Sequence, residues 1–257
     1  VNSNIVSIVI SGGPCDLRHA SEKSRAILQG WWNGLEGGNA LAEVIYGEIA
    51  PPGKLHMTFP AKLQDSPAFA LENFPRKVET QGDLFGNQYR QDVQGQNQFR
   101  MQRKSPDALY TEGSLVGYRW FDTKGIRPLF AFGHGLSYTE FEYGEVNVSS
   151  KVSANGVLKA SVKVKNIGSR YGKEIVQLYI GEENPLLERP TKELKAFEKV
   201  SLAPGETKTV KFEIPVSDLA YFNADTHSWV LDSGHKFTAY FAAASDDVRG
   251  TADFIVR

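Results

Sequence analysis

Few residues in this chain have side chains that do chemistry, and their spacing limits what that chemistry can be. His19, His56, His134, His227 and His235 are the candidate proton carriers and metal ligands, and none of them is paired at the HxxxH spacing that sets two imidazoles on one helix face. His134, between Gly133 and Gly135, is the most pointed of the five and is expected to pack within a loop. Cys15 follows Gly12-Gly13-Pro14 at the end of an apolar run, where α/β folds place ligand crevices. No Ser/His/Asp or Cys/His order supports it as a nucleophile, so a small buried packing role is expected. Residues 31–60, WWNGLEGGNALAEVIYGEIAPPGKLHMTFP, hold five glycines, a Trp pair and three carboxylates. They form no phosphate loop, because no Lys follows the glycines and the GxGxxG order is missing. Glu36-Gly37-Gly38-Asn39 reads as a loop-to-helix junction capped by Asn39, with Trp31 and Trp32 anchoring a helix end.

The elements that position these residues belong to a chain of 257 residues, long enough for one large domain or two ordinary ones. With 41% hydrophobic and 23% charged residues it has the composition of a soluble globular protein. A net charge of -1 gives no reason to expect a nucleic-acid or membrane partner. No apolar run approaches the roughly 18–20 residues that span a bilayer. The single cysteine rules out an internal disulfide and a Cys-based zinc site, and it fits a cytosol as well as a secreted or periplasmic route without disulfides. The first residues, VNSNIVSIVISGG, lack a basic leader and run straight into a strand, so a fragment or processed piece is expected.

Two halves follow different grammars. Residues 5–10 (IVSIVI) suit a strand covered on both faces, as in a parallel sheet. Ser21 is placed to cap a helix carrying Ile27, Leu28 and Trp31, and a second helix begins near Asn39 and stops at Gly47. Residues 55–59 read as another strand after Pro51-Pro52-Gly53, which completes an α/β pattern. Residues 80–103 hold seven glutamines and no sustained period, the mark of a long loop or mobile insertion. From residue 143 on, residues 157–165, 175–180, 207–214 and 236–241 are β-rich runs separated by turn signals, which predicts a β-sandwich. The expected division is therefore residues 1–142, an α/β unit with a long loop at about 76–109, and residues 143–257, an all-β unit.

Three ordered blocks carry a resemblance. Gly34-Leu35-Glu36-Gly37-Gly38-Asn39-Ala40-Leu41-Ala42 with Thr58-Phe59-Pro60 is the first. Glu112-Gly113 with Val116-Gly117-Tyr118-Arg119-Trp120-Phe121-Asp122, then Pro128 through Tyr138 (PLFAFGHGLSY), is the second. Residues 166–180 with Arg189-Pro190-Thr191-Lys192-Glu193-Leu194-Lys195-Ala196-Phe197 is the third. Together they resemble glycoside hydrolase family 3 of the β-glucosidase type, over nearly the whole chain. Ala131, Asn33 and Leu35 depart from the family's usual Pro, Pro and Gln. The resemblance implies the C-terminal part of an α/β sandwich domain, mostly parallel, followed by a fibronectin type III-like β-sandwich.

It also implies a retaining, exo-acting mechanism, in which an Asp nucleophile and a Glu acid/base stand about 5–5.5 Å apart. In the family the Asp lies on an N-terminal barrel and the Glu upstream of the strand matched by residues 5–10, so both are expected upstream of residue 1. No catalytic residue is therefore assigned to this chain, and no cofactor or metal is implied. Glu36, Glu112 and Asp122 lie in the matching blocks and are expected to be structural: Glu36 bonding to backbone N–H groups of its loop, Asp122 pairing with Arg119 or Lys124. Phe85, Tyr89 and Phe99 in the glutamine-rich segment offer aromatic faces for sugar rings as substrate-proximal residues. The expected partners are β-glucosides or short β-linked oligosaccharides and the N-terminal barrel, in cis or as a second chain. A β-xylosidase or other family 3 β-glycosidase is the neighbouring reading. A non-catalytic carbohydrate-binding or interaction module is the reading from another class, although Tyr171, Tyr179, Tyr221, Phe222 and Trp229 look like scattered core residues rather than a platform.

Overall fold

The computed structural model describes residues 4–73 and 110–257. Its first part opens with β1 (Val6–Val9), α1 (Arg18–Lys23) and β2 (Ala26–Gln29). The strands pair in parallel, Val6 opposite Ala26 and Val9 opposite Gln29. Residues 26–29 are thus a strand where a helix is expected, because the Ile27-to-Trp31 spacing imitates a helical turn while pairing with β1 decides the conformation. A helix does lie before it, but it ends at Lys23.

Next comes α2 (Gly37–Ile45), which starts two residues before Asn39, and Gly47 at φ 78° takes the left-handed geometry that stops it. Asn39 is inside the first turn instead of capping it. A short helix, α3 (Pro67–Ala70), precedes the undescribed stretch, and α4 (Tyr118–Lys124) follows it. Residues 55–59 form no regular strand. They pair irregularly with residues 129–134 through Leu55 N to His134 O at 2.8 Å, Gly133 N to Leu55 O at 2.7 Å and the Phe59–Phe130 bridge. Trp120, Phe121 and Leu115 make a small core against Ile126.

The second part is a sandwich of two sheets. Its strands are β3 (Phe141–Val148), β4 (Lys151–Val152), β5 (Val157–Asn166), β6 (Gly172–Glu182), β7 (Glu193–Leu202), β8 (Thr207–Pro215), β9 (Tyr221–Asn223), β10 (Ser228–Val230), β11 (Lys236–Ala244) and β12 (Asp247–Val256). One sheet runs β4-β12-β11-β6-β7 and the other β3-β5-β8, while β9 and β10 form a separate hairpin. Alternate residues of β5 point inward (Leu158, Ala160, Val162, Val164), meeting Val210, Phe212 and Ile214 of β8 and Leu178, Phe237, Phe241 and Phe254 of the facing sheet.

Two expectations about burial fail. Tyr179 is core, but Tyr171 is 55% exposed, and Trp229 and Phe222 are 72% and 51% exposed, facing each other across the β9–β10 hairpin at 5.7 Å. The hairpin is two-stranded, so one ring of each pair has nothing to pack beneath. Likewise β1 is not covered on both faces among the described residues: Ile5, Val6, Ile8 and Ile10 remain 39–52% exposed.

Candidate functional site

Parallel strands direct the loops at their carboxyl ends toward a common crevice. Here those loops are residues 10–16 after β1 and residues 30–33 after β2. Gln29 straps them together, its Nε2 donating to Ser11 Oγ at 3.0 Å and Ser11 O at 3.3 Å, while Ser11 Oγ donates to Gly13 O at 2.8 Å. Gln29 Oε1 is buried with no hydrogen-bond partner among the described residues. Gly12 lies against the Trp32 indole, where a Cβ would come within 3.0 Å of the ring. Trp31 adopts φ 54°, which turns its ring onto His56 at 4.0 Å and toward Phe59 at 6.1 Å. Trp31 therefore ties the loop after β2 to the buried Phe59, whereas Trp32 is 81% exposed and Leu35 wholly so. The two tryptophans do not share a helix-end role: one is an anchor and the other is surface.

Cys15 is exposed, not the buried packing residue expected, because it sits in the loop beyond β1 with nothing folded over it among the described residues. The three candidate carboxylates are held by different partners. Glu36 is exposed and accepts from Asn39 Nδ2 at 2.5 Å, with no backbone N–H bond to its side chain. Glu112 accepts from Asn73 Nδ2 at 2.6 Å, and Thr111 Oγ1 donates to Asn73 Oδ1 at 2.8 Å. Asn73 is buried, so these bonds join the two flanks of the undescribed stretch.

Asp122, on α4, pairs with Lys192 at 2.6 Å, not with Arg119 or Lys124. Those two point elsewhere, Arg119 to Glu193 at 3.1 Å and Lys124 to Glu188 at 3.1 Å. Burial raises the Asp122 pKa, with Lys192 pulling it back down. His134 is half-buried and stacked on Phe130 at 5.4 Å, and burial lowers its pKa, so the imidazole is neutral at pH 7. It packs, as its position between two glycines suggests. Phe85, Tyr89 and Phe99 lie outside the described residues.

Sequence reasoning missed a second buried group. Lys54 pairs with Glu174 at 3.0 Å and donates to Gly135 O at 3.1 Å, and Tyr143 OH donates to Glu174 Oε1 at 3.2 Å. Burial raises the pKa of both Glu174, against Lys54, and Tyr143. Gln177 is a separate buried polar residue, donating to Ala243 O at 2.7 Å and accepting from Tyr179 OH at 2.5 Å beneath Gly133. No short-range signal links residues separated by 120 positions, as Lys54 and Glu174 are. Chemically, the strand-end loops present the exposed ring of Trp32, an aromatic face that suits ligand contact. Glu112 and Asp122 are occupied in bonds that hold distant segments together, while Glu36 bonds only to its neighbour Asn39.

Comparison with known proteins matches the Glycosyl hydrolase family 3 C-terminal domain to residues 1–138 and the Fibronectin type III-like domain to residues 174–245. A β-glucosidase of Bacteroides ovatus is 42% identical over 255 residues, 99% of this chain and 30% of that protein. The fold of a family 3 β-glucosidase of Bifidobacterium adolescentis superposes with a TM-score of 0.82 at 30% identity, covering 99% of this chain and 33% of that one. A β-glucosidase 3B of Thermotoga neapolitana, solved with α-D-glucose, gives 0.80 at 32% identity over 98% of this chain and 31% of its own. The chain thus spans about a third of the length of the relatives it matches.

Proposed function

The chain belongs to glycosyl hydrolase family 3, and from that premise we propose that it is the C-terminal portion of a retaining, exo-acting β-glucosidase hydrolysing terminal β-D-glucosyl residues. The observation that carries this reading is the 42% identity, over 99% of the chain, to a β-glucosidase. The α/β part and the β-sandwich match in one order, which a free-standing binding module would not need.

In this reading the chain shapes and supports the cleft, and the nucleophile Asp and acid/base Glu come from residues upstream of residue 1. The engagement of Asp122 by Lys192 and of Glu112 by Asn73 supports a structural role for both carboxylates. We assign the half-exposed apolar side chains of β1 to contact with the remainder of the sheet, because apolar surface of this kind is stabilised only by cover. The loops after β1 and β2, with Trp31, Trp32 and Gln29, face the substrate side. Phe85, Tyr89 and Phe99, outside the described residues, are proposed as sugar-contacting residues on their aromatic character alone. We place the division between the two units at residues 142/143, close to the start of β3 at Phe141, the first strand to pair within the sandwich.

The test is nitrophenol release from nitrophenyl β-glucoside by this chain alone and by a polypeptide extended upstream. Turnover by the longer polypeptide only is the expected result. Turnover by this chain alone would overturn the assignment and make Glu36, Glu112 and Asp122 the first residues to replace.

A further inference from the structure

We propose that Glu182, Asp232 and His235 form a binding site for a first-row divalent cation of the Zn²⁺ type within the β-sandwich, independent of the glycosidase reading. Glu182 ends β6 and pairs with Phe237 of β11. Asp232 and His235 flank Ser233-Gly234, where Gly234 at φ 84° reverses the chain just before β11. That turn brings one donor atom from each of the three side chains within 4.8 Å of the others.

Two observations point to a ligand. The first is an unmatched atom: Asp232 Oδ2 is buried and has no hydrogen-bond partner among the described residues, although the same carboxylate bonds the Tyr221 hydroxyl. A buried carboxylate oxygen left in that state is costly, and native proteins normally satisfy it. The second is that the other donors are already held in place. His235 Nδ1 lies 2.6 Å from Glu182 Oε1, on a glutamate side chain only 2% exposed. Arg189 Nη1 holds Glu182 Oε2 at 2.5 Å, while its Nη2 donates to Leu219 O at 2.9 Å and its guanidinium lies 5.3 Å from the Tyr221 ring. Arg189 thus fixes the glutamate without occupying Oε1, as groups behind metal ligands do.

The donor set selects the ion. One imidazole nitrogen and two carboxylate oxygens are too few oxygens for Ca²⁺, and the nitrogen favours a borderline transition metal. Zn²⁺ bonds of about 2.0–2.2 Å require donors roughly 3.4 Å apart in a tetrahedron. The side chains reach that by shifts of about 1 Å, opening the His235–Glu182 contact and closing toward Asp232. His235, 26% exposed, leaves one side open for entry and for a water as fourth ligand. The ion would fasten the end of β6 to the turn before β11. Sequence spacing hides the site, because Asp232 and His235 are three residues apart and the third ligand lies 50 positions earlier.

The test uses the whole chain, stripped with a chelator and dialysed. Metal content is measured by atomic emission after equilibration with Zn²⁺, and melting is followed with Zn²⁺ or Mg²⁺ in the wild type and in Asp232→Asn, His235→Gln and, as a surface-histidine control, His227→Gln. The expected result is one Zn²⁺ per chain, a Tm raised by micromolar Zn²⁺ but not by Mg²⁺, and affinity weakened at least about tenfold in Asp232→Asn and His235→Gln but not in His227→Gln. Substoichiometric Zn²⁺, or equal responses in all four proteins, would overturn the site. Should the two ligand variants fold poorly, Co²⁺ titration of the wild type decides: a visible absorption band displaced by Zn²⁺ supports the site, and its absence refutes it.

Discussion

Replacing Lys192 with Met should be among the most damaging single changes near the join between the two parts of the chain. Lys192 and Asp122 are 10% and 12% exposed and 2.6 Å apart, so neither has water to fall back on when the other is removed. Taking one partner from a buried pair costs about 3–5 kcal/mol, because a charge is left without compensation. At about 2–4 °C per kcal/mol for a chain of this size, Tm should fall by roughly 6–20 °C at pH 7.5. The pH dependence gives a second check. Burial raises the folded-state pKa of Asp122 above its ordinary 3.8, with Lys192 opposing. A raised carboxylate favours folding while protonated, and this contribution is lost as pH climbs from the unfolded pKa to the folded one. Without Lys192 the folded pKa rises further, so the deficit of the variant should grow from pH 4 upward and be smaller at pH 4.5 than at pH 7.5. Adding Asp122→Leu to Lys192→Met should recover most of the loss. Thermal melts by circular dichroism at several pH values decide the matter. A loss under about 1 kcal/mol, the range of exposed pairs, or a double variant no better than the single one, would refute the reasoning.

Gly133→Ala should cost about 2–4 kcal/mol by urea unfolding, since residue 133 sits at φ 80° and a methyl there would overlap the Gln177 amide and disturb its bonds to Ala243 and Tyr179. An unchanged midpoint would show that this turn relaxes freely. Phe241→Ala removes a fully buried ring from the centre of the sandwich and should cost about 3–5 kcal/mol in the same assay, with a cost below 1.5 arguing against a close-packed core there. Ile8→Ser, at a position 44% exposed, should change the stability of this chain by less than about 0.5 kcal/mol and reduce its binding of a hydrophobic dye. In the upstream-extended polypeptide the same change should cost about 1.5–3 kcal/mol, and equal costs in both would count against the proposed cover for β1.

The β-sandwich was the legible half because its burial follows period two. In β5 the buried positions alternate without a slip, and β8 does the same from Val210 to Ile214. β7 escaped notice for a physical reason: it is an edge strand, with neighbours only on the β6 side, and its middle residues are exposed or half-exposed, so no apolar alternation marks it. β2 was misread because four residues are too few to show a period, and its conformation is set by β1, about 20 residues away. The site divides in the same way. The packing of His134 was legible from the absence of any spaced partner in sequence, and the structure stacks it on Phe130. Asp122 was given the wrong partner because sequence offers only neighbours, whereas the fold supplies Lys192 from 70 residues further on. The aromatic pair Phe222 and Trp229 looks like core in composition and is surface only because its hairpin stands apart from both sheets.

The contact between α4 and the sandwich bears on what the β-sandwich does. Tyr118, Arg119, Asp122 and Thr123 lie at positions i, i+1, i+4 and i+5, one face of a helix. That face meets four consecutive residues leading into β7: Tyr118 OH accepts from Leu194 N at 2.8 Å, Arg119 reaches Glu193, Asp122 reaches Lys192, and Thr123 Oγ1 accepts from Thr191 N at 3.1 Å. Lys54 with Glu174 makes a second join of the same kind. Domains joined by a loose linker move relative to one another by default. The buried ion pair opposes that motion, since sliding the helix by one residue would leave Asp122 and Lys192 unmatched in a dry environment. The sandwich is therefore fixed to the segment that follows the undescribed stretch, and the Asn73–Thr111–Glu112 bonds carry that constraint back to the α/β part. A β-sandwich held this way is fastened to the rest of the chain through α4 and Lys54 rather than hung from a linker.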